Sequence, residues 1–428
     1  MITTVDCSLS NLNSKRKIYD VFGFPKSARN TSYKFEENYC FSYYKKQKSK
    51  KDRRNQSDRI KKYLTFDKGP SKQVLSIPPE EDSKNYRVIT KFKDGSEWLK
   101  KAQKKFARIV GKKLGSISYL QSTLKKTSYA KNGNKHAGTP KYFYILDLKD
   151  FFTQISSDEV KKTIKKYLSV DGDVATLYSK MLTSPSNESS TLFVLGQGLP
   201  SSPLLAFLCN MSLFEYINTL SIANGICFTI YVDDITFSSD NPIPQEFIDK
   251  IMGLLKGNHL KVNKKKIHKP KKENTKLITG VCILKDGTTT IARKKHEELF
   301  CLYEYITKNI NKENYEFDDF LDLYNSYIKF SGNYIHLCEV QYNGDLGPKA
   351  TNFVHNKYSL LYKKLLPFFK IGAAKKDSKF KYSINNIKKE EDLDFLKCRF
   401  DDFIDNRGKL ISYFKEVKKR RSILKYSK

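Results

Sequence analysis

The stretch that decides the fold is Ile226–Ser238, ICFTIYVDDITFS, in which two apolar runs of strand length meet at a pair of aspartates. This pattern predicts a β-hairpin with strands over Phe228–Tyr231 and Ile235–Phe237. Asp233 and Asp234 would lie side by side at its tip, where like charges repel and each carboxylate is costly to desolvate. A divalent cation would compensate that cost, so the tip is a candidate metal site. A solvent-exposed Asp-Asp turn that needs no metal is the alternative.

A second acidic segment lies upstream, in Tyr142–Phe152, YFYILDLKDFF. Its first part has the length and hydrophobicity of a buried strand, and the carboxylate of Asp147 at the strand end is poorly tolerated without a partner. Asp150 is a candidate cap for the helix that follows. Carboxylates from these two strands, brought together, would form the oxygen cage that a pair of Mg²⁺ ions needs. Such ions activate an attacking hydroxyl and stabilise the leaving oxygen in phosphoryl transfer.

A third segment, Gly196–Pro203 (GQGLPSSP), precedes the apolar run Leu204–Phe214, which predicts a helix. A turn of Gly, Pro and Ser at a helix start lets the backbone approach a nucleotide closely, and leaves Gln197 free to hydrogen-bond. The alternative is that these residues are ordinary loop punctuation before a helix.

The charge of the chain predicts a polyanionic partner. The 428 residues include 79 Lys and Arg against 46 Asp and Glu, a net charge of +33, and self-repulsion of this size opposes compactness unless a polyanion neutralises it. The basic residues cluster, with aromatic residues nearby, in Lys45–Lys62, Lys261–Lys276 and Lys415–Lys428. Three such runs favour contacts with nucleic-acid phosphates and bases over three solvated surfaces.

Composition excludes several other classes of protein. With 39% hydrophobic residues the chain can bury a core, so wholesale disorder is excluded. The eight cysteines include no CxxC pair, which argues against a zinc ribbon and a dense disulfide framework. No apolar window reaches 18 residues and Met1–Asn13 does not resemble a signal peptide, so we expect a cytoplasmic protein with no membrane partner.

The patterns along the chain predict an α+β protein in three parts. Residues 1–85 form a basic N-terminal extension, irregular as far as Pro79; residues 86–292 alternate helices and strands; residues 293–428 are mainly helical. Ser96–Lys113 has apolar positions at helical spacing under a dense basic face, and Thr275–Ala292 contains short strands.

The order of the three segments resembles that of the reverse transcriptase family, in which an Asp strand, a QGxxxSP turn and a YxDD hairpin (here Tyr231–Asp234) follow one another. Two later segments, Asn263–Lys266 (NKKK) and Leu277–Gly280 (LITG), are similar to the lysine motif and primer-grip hairpin of the family. The ITG triplet (Ile278, Thr279, Gly280) and Asn132–His136 (NGNKH) resemble the retron-type branch, to which bacterial defence-associated enzymes are close. The resemblance covers about residues 86–332 and implies a right-hand polymerase fold, with fingers and palm over 86–292 and a thumb after 293.

The resemblance also implies the role of each site residue. The residues implied at the metals are Asp147, Leu148, Asp233 and Asp234, binding two Mg²⁺ ions, with Mn²⁺ as an alternative. Lys266 would donate a proton to the leaving pyrophosphate, since its cation also stabilises developing negative charge. Arg87 would grip the triphosphate, whereas Lys84, in an acidic segment, is better explained as an exposed linker residue.

The remaining roles concern the nucleotide and the template. Phe152 matches the bulky residue that rejects a ribose 2′-OH and so selects dNTPs. Asp150 and Phe151 would lie beside the triphosphate and the sugar. Gln197 and Gly198 would contact the incoming nucleotide and the template, and Ser202 and Pro203 would shape their turn. His136 has two interpretations, a structural histidine or one that contacts RNA.

The resemblance implies an RNA-directed DNA polymerase that copies a dedicated noncoding RNA, as template and primer, into DNA in bacterial anti-phage defence. A template-independent DNA polymerase of the same family and a non-catalytic RNA-binding scaffold are alternatives. The intact set Asp147, Asp233 and Asp234 speaks against the scaffold. Phe152 speaks against a third alternative, an RNA-synthesising polymerase of the same fold. A protein effector or a second copy of the chain is a further expected partner.

Overall fold

Strands interleaved with helices build the first part of the chain, and long helices build the last part. The structure, a computed structural model, describes residues 12–30, 32–45, 74–75, 86–187, 190–341, 357–369, 397 and 399–415. The strands are β1 (Tyr39–Lys45), β2 (Val74–Leu75), β3 (Tyr86–Phe92), β4 (Tyr142–Asp147), β5 (Ser184–Pro185), β6 (Phe193–Val194), β7 (Cys227–Tyr231), β8 (Asp234–Ser239), β9 (Lys276–Ile278), β10 (Val281–Ile283) and β11 (Thr289–Ile291). The helices are α1 (Lys15–Phe22), α2 (Glu97–Leu114), α3 (Tyr129–Asn134), α4 (Ser157–Leu168), α5 (Gly172–Leu182), α6 (Ser202–Cys209), α7 (Met211–Ala223), α8 (Gln245–Gly257), α9 (Arg293–Asn309), α10 (Phe317–Gln341) and α11 (Lys357–Phe369), and residues 399–415 are helical as well. The predicted α+β class is confirmed.

The described residues divide into two units, those up to residue 289 and those from residue 290 onward. The predicted irregular structure before Pro79 is wrong for part of the first unit. Strand β1 pairs antiparallel with β3 along its whole length, and Phe22 and Phe41 nearby are at most 5% exposed. The partner strand lies more than forty residues away in sequence, so no local pattern around β1 could indicate the pairing.

The predicted acidic hairpin belongs to a three-stranded antiparallel sheet in the order β4–β8–β7. Most side chains of these strands are buried on both faces of the sheet, and the ladder pairs the strands in a single register. That register sets Asp147 opposite Asp234, and Tyr231 pairs with Asp234 across the hairpin. The sheet therefore gathers carboxylates from two strands at one end, as the sequence predicts.

The apolar run Leu204–Phe214 forms two helices where the sequence predicts one. Helix α6 ends at Cys209 and α7 begins at Met211, because Asn210 between them has non-helical backbone angles (φ −111°, ψ 11°). Most of the apolar side chains of α6 are buried, and Phe207 stacks on Phe214 with ring centroids 6.1 Å apart. Within the described part of the chain, no single helix combines the length and the hydrophobicity needed to cross a membrane.

The second unit confirms the helical pattern predicted after Arg293. Helices α9 and α10 pack through buried Leu, Ile, Tyr and Phe side chains. Tyr327 on α10 donates a hydrogen bond to the carbonyl oxygen of Tyr362 on α11 (2.8 Å), and the two rings stack with centroids 6.2 Å apart. Aromatic pairs stabilise a fold by more than the burial of their surface area alone. These contacts therefore hold α11 on α10.

Candidate active site

The tip of the β7–β8 hairpin is a two-residue loop in a strained conformation. Val232 has a φ of +60°, a left-handed value that is uncommon for a β-branched residue. Its backbone N–H donates to the Ser122 Oγ (3.0 Å). On the preceding strand, the backbone N–H of Ile230 donates to the carbonyl oxygen of Tyr119, and the N–H of Gln121 donates to that of Ile230, both at 2.9 Å. The segment 119–122 therefore holds the acidic tip in place, and no pattern in its sequence indicates this.

Asp147, at the end of β4, has a partner on each carboxylate oxygen. The Lys266 Nζ donates to Oδ2 at 2.9 Å, and the Asn263 Nδ2 donates to Oδ1 at 3.3 Å. Both partners come from the NKKK segment, because the backbone N–H of Asn263 donates to the carbonyl oxygen of Asp147 (2.9 Å) and Lys266 ends a short 3₁₀ helix. The structure thus places Lys266 beside the acidic cluster, and adds Asn263 to it.

The two hairpin carboxylates lie in a field that opposes their ionisation. Burial, followed by the charges of Asp233 and Asp147, raises the pKa of Asp234 to about 6. Burial is also the main cause that raises the pKa of Asp233, and the charge of Asp147 adds to it. Lys266 and Arg87 act on Asp233 in the opposite direction. The site therefore brings together three carboxylates and the two cations, Arg87 and Lys266, that the sequence predicts for it.

The donor set fits a divalent metal ion. Carboxylate oxygens are the ligands that Mg²⁺ and Mn²⁺ prefer, and a cation would remove the repulsion that raises the pKa of Asp234. In the described residues no three Asp, Glu, His or Cys side chains are already arranged around one point. The ammonium of Lys266 lies 2.9 Å from the Asp147 Oδ2, on one carboxylate of the cluster. Leu148 is buried, and its N–H donates to the carbonyl oxygen of Asp233 (2.9 Å).

The GQG turn packs against the strand that carries Arg87. The backbone N–H of Thr90 on β3 donates to the carbonyl oxygen of Gln197 (2.8 Å). Gly198 is exposed with a φ of +109°, and a Cβ atom there would lie 2.7 Å from the carbonyl oxygen of Thr90, so the close approach requires glycine. Ser202 at the start of α6 is buried, and its Oγ donates to the carbonyl oxygen of Gly196 (2.8 Å). Pro203 follows in the first turn of α6, where its missing N–H costs nothing.

The loop after β4 contains three predicted site residues, and the prediction that Asp150 caps the next helix is wrong. Asp150 does not cap the next helix: α4 begins seven residues later, at a capping box of Ser156 and Glu159, and Asp150 is an exposed residue with a φ of +52°. Phe151 is 3% exposed, so its side chain is not available to a nucleotide in this structure. Phe152 is half-buried, with its ring centroid 5.7 Å from that of Phe151. Its partly exposed ring leaves it free to contact a sugar.

The NGNKH segment connects two hairpins. His136 is fully buried, and its Nδ1 and Nε2 lie 2.7 Å from the hydroxyls of Ser238 and Thr229, which belong to β8 and β7. Asn132 donates to the Thr279 Oγ1 (3.2 Å), at the turn between β9 and β10. The neighbours of Thr279 are the buried Ile278 and Gly280, whose φ is +94°. Of the two interpretations of His136, the structure supports the structural one, since no ring atom is exposed.

Some predicted contacts lie outside the described residues. Lys84, nearly all of the Lys45–Lys62 run and the Lys415–Lys428 run beyond its first residue belong to that part of the chain. The Lys261–Lys276 run is described. It lies beside β4, where the backbone groups of Ile145 and His268 exchange two hydrogen bonds of 2.9 Å. This run therefore places basic side chains next to the acidic cluster.

Comparisons with known proteins find similarity to one family. The family model described as "Reverse transcriptase (RNA-dependent DNA polymerase)" matches residues 77–281. The chain is 24% identical over 242 residues to the retron Ec86 reverse transcriptase of Escherichia coli, an alignment that covers 56% of this chain and 68% of that protein. It is 26% identical over 234 residues to the retron Se72 reverse transcriptase of Salmonella heidelberg (strain 579083-10), covering 53% of this chain and 59% of that one.

Among solved structures, the chain aligns with telomerase from Candida albicans in complex with a TWJ fragment of telomeric RNA. The TM-score is 0.38 and the identity 10%, and the alignment covers 65% of this chain and 62% of that one. The family match, by itself, confirms the predicted right-hand polymerase fold.

Proposed function

We propose that this chain, a bacterial retron-type reverse transcriptase and hence an RNA-directed DNA polymerase, copies a dedicated noncoding RNA into DNA as part of anti-phage defence. The observation that carries the proposed chemistry is the meeting of Asp147, Asp233 and Asp234 at one end of the β4–β8–β7 sheet. The defensive role rests on the resemblance to the retron-type and defence-associated branches and on no particular residue of the chain.

Asp147, Asp233 and Asp234, with Leu148 beside them, would hold two divalent cations, Mg²⁺ or Mn²⁺. When bound, these ions supply activation of the attacking primer hydroxyl and stabilisation of the charge on the leaving pyrophosphate. The carboxylates hold this position because β4 and β8 fix them in register and Ser122 fixes the strained tip.

Two cations and the GQG turn would bind the incoming nucleotide. Arg87 binds the triphosphate, for which its exposed position on β3 and its electrostatic effect on Asp233 are the support. Gln197 and Gly198 contact the base pair from the adjoining turn. Lys266 donates a proton to the pyrophosphate as it leaves, and to do so its ammonium must release the Asp147 Oδ2 that it now contacts at 2.9 Å. Each role is thus tied to a position around the same acidic cluster.

Primer extension tests the proposal. The purified protein, an RNA template with an annealed DNA primer, dNTPs and Mg²⁺ should give DNA complementary to the template. The double variant Asp233→Asn, Asp234→Asn should lose at least about three orders of magnitude in rate, because the groups that bind the cations are gone. Asp240→Asn is the matched control, since it removes an exposed carboxylate just beyond the other end of β8, and it should keep full activity.

The same assay separates the alternatives. DNA whose sequence does not follow the template would show template-independent synthesis, and incorporation of NTPs would show an RNA-synthesising polymerase. Absence of any product with the wild-type chain would support the scaffold. In the host, sequencing of the RNA and DNA that copurify with the chain should find one structured RNA with matching cDNA. Infection assays with the double variant should then show loss of protection.

A further inference from the structure

Helix α2 carries a stripe of cations that the catalytic role leaves unused. At about 100° per residue, five exposed basic side chains of this helix fall within about 120° of its circumference. We call them the α2 stripe: Lys100, Lys101, Lys104, Arg108 and Lys112. The opposite side of the helix is buried at Leu99, Phe106 and Val110, each 0% exposed. Packing of that apolar side fixes the stripe on the surface of the first unit.

No carboxylate in the described part of the chain forms a salt bridge with any member of the α2 stripe. Helix α9 differs in this respect, since its Arg293 pairs with Glu297 at 3.0 Å. Along the α2 stripe, residues four apart carry like charges, as Lys104 and Arg108 do, and such pairs destabilise a helix. Glu97 in the first turn is the acidic residue of α2, so the repulsion from Lys104 to Lys112 is not offset within the helix. Such a face is complementary to a polyanion.

Within the part of the chain that the structure describes, helix α2 adds no exposed aromatic ring for base stacking beside the charge of the α2 stripe. Of the two aromatic residues of α2, Phe106 is buried and Trp98 packs inward, with ring centroids 4.8 Å from Phe24 and 6.1 Å from Tyr33. Proteins that hold single strands combine cations with exposed aromatic rings, whereas a double helix is held through its backbone phosphates. The chemistry of the α2 stripe therefore favours a duplex.

We propose that the α2 stripe binds the phosphate backbone of double-helical RNA, without reading its sequence. This inference rests on the proposed function for the identity of the nucleic acid. Lys100 and Lys112 are about 18 Å apart along the helix axis, at 1.5 Å per residue. A duplex carries about one charge per 1.7 Å of its axis, so about ten phosphates span that length. Several of these phosphates can therefore contact the five cations at once.

Equilibrium binding of a labelled 20-base-pair RNA duplex of arbitrary sequence, without dNTPs, tests the proposal. The probe variant is Lys101→Gln, Lys104→Gln, Arg108→Gln. Each lost phosphate contact lowers the slope of log Kd against log salt by about 0.9, so we expect a fall of about two to three and affinity at least about tenfold weaker near 0.15 M salt. Glutamine is a good helix former and removes the repulsion, so the variant should fold.

Two control variants accompany the probe variant. Lys15→Gln, Lys34→Gln, Arg293→Gln also removes three positive charges, but from side chains paired to carboxylates at 3.2, 3.6 and 3.0 Å, and should change the slope by less than one. The charge-preserving Lys101→Arg, Lys104→Arg, Arg108→Lys should retain the wild-type slope.

Three results would overturn the proposal: an unchanged slope in the probe variant, an equal loss in the paired-charge control, or an equal loss of binding to polyglutamate, which would indicate an acidic protein surface. The same measurement with a DNA duplex distinguishes the two nucleic acids, and an effect confined to DNA would contradict RNA as the ligand. Primer extension by the same preparations keeps the two hypotheses apart. An inactive chain with the expected slope change refutes the proposed function alone, and an active chain with an unchanged slope refutes the α2 stripe alone.

Discussion

At the level of single residues, the acidic cluster holds negative charges so close together that their repulsion lowers the stability of the fold. The side chains of Asp147, Asp233 and Asp234 oppose one another, and one of them faces Lys266. Metal-binding and catalytic sites commonly store such repulsion because a ligand later relieves it. Substitutions of Asp234 and Phe152 test the repulsion in the cluster and the proposed choice of sugar.

Asp234→Asn should stabilise the metal-free protein at neutral pH. The folded-state pKa of about 6 lies above the ordinary 3.8, so the folded chain binds more protons than the unfolded chain between these values. The stability from this proton is full below about pH 4 and is lost as pH rises through about 6. With a chelator at pH 7.5, the variant should melt about 2–4 °C higher. The difference should shrink toward pH 4, and Asp240→Asn should show none; a lower melting temperature for Asp234→Asn would contradict the repulsion.

Phe152→Ala should weaken the choice of sugar. If the half-buried ring rejects the ribose 2′-OH by a steric clash, removing it should raise the ratio of NTP to dNTP incorporation by about tenfold or more. Single-nucleotide kinetics with paired dNTP and NTP measures that ratio. Tyr216→Ala, which removes an exposed ring on α7, should leave it unchanged. An unaltered ratio in Phe152→Ala would refute the assignment.

At the scale of elements, the segment with His136 and Asn132 connects the acidic hairpin to the β9–β10 hairpin. Each imidazole nitrogen lies within hydrogen-bond distance of a buried hydroxyl, one on β8 and one on β7. A single side chain therefore connects the two strands of the acidic hairpin. The sequence shows this segment as a family resemblance, whereas its contacts depend on residues about one hundred positions away.

His136→Gln should remove one component of acid sensitivity. Burial, with Lys141 and Lys135 adding to it, lowers the pKa of His136 to about 3, below the ordinary 6.5. The unfolded chain therefore binds more protons between these values, so this contribution to stability is full above pH 6.5 and is lost as pH falls toward 3. Denaturant unfolding from pH 4.5 to 8 should show a weaker dependence in the variant than in the wild type.

His136→Ala should cost about 2–4 kcal/mol, because Ser238 and Thr229 would keep buried hydroxyls without their partner. If the contacts of His136 with β7 and β8 position the acidic tip, kcat should fall while KM changes little. His136→Gln should then recover part of the loss. Ser238→Ala, which removes one of the two contacts, should have a smaller effect. Normal kcat in a stably folded His136→Ala would show that the histidine stabilises the fold without positioning the site.

At the scale of the whole molecule, the +33 charge remains the dominant property. Within the described residues, basic side chains lie in the Lys261–Lys276 run beside the acidic cluster, in the α2 stripe and on surfaces paired with acids. Self-repulsion of this kind falls as salt shortens the screening length.

Salt should therefore stabilise the chain. Raising sodium chloride from 0.05 to 0.5 M shortens the Debye length from about 14 to about 4 Å, and the melting temperature should rise by about 2–4 °C. The variant Lys101→Gln, Lys104→Gln, Arg108→Gln, with three charges fewer, should gain less. A melting temperature that falls with salt would mean that ion pairs outweigh the repulsion.

The sequence alone was sufficient to predict the class of enzyme and much of the local structure. The short apolar runs before Asp147 and Asp233 predict strands that end near carboxylates, and such runs are a local property that can be read along the chain. The spacing of these segments, with GQG between them, was enough to indicate the family.

The tertiary structure decided what each side chain contacts. Lys266 on Asp147, Ser122 on the tip at Val232, and the pairing of β1 with β3 all join positions separated by tens of residues. Asp150 shows the converse, since its sequence position suggests a helix cap and the chain places the cap at Ser156. Such outcomes depend on which register and packing bury the most apolar surface for the whole chain. That is a global property, which no local pattern contains.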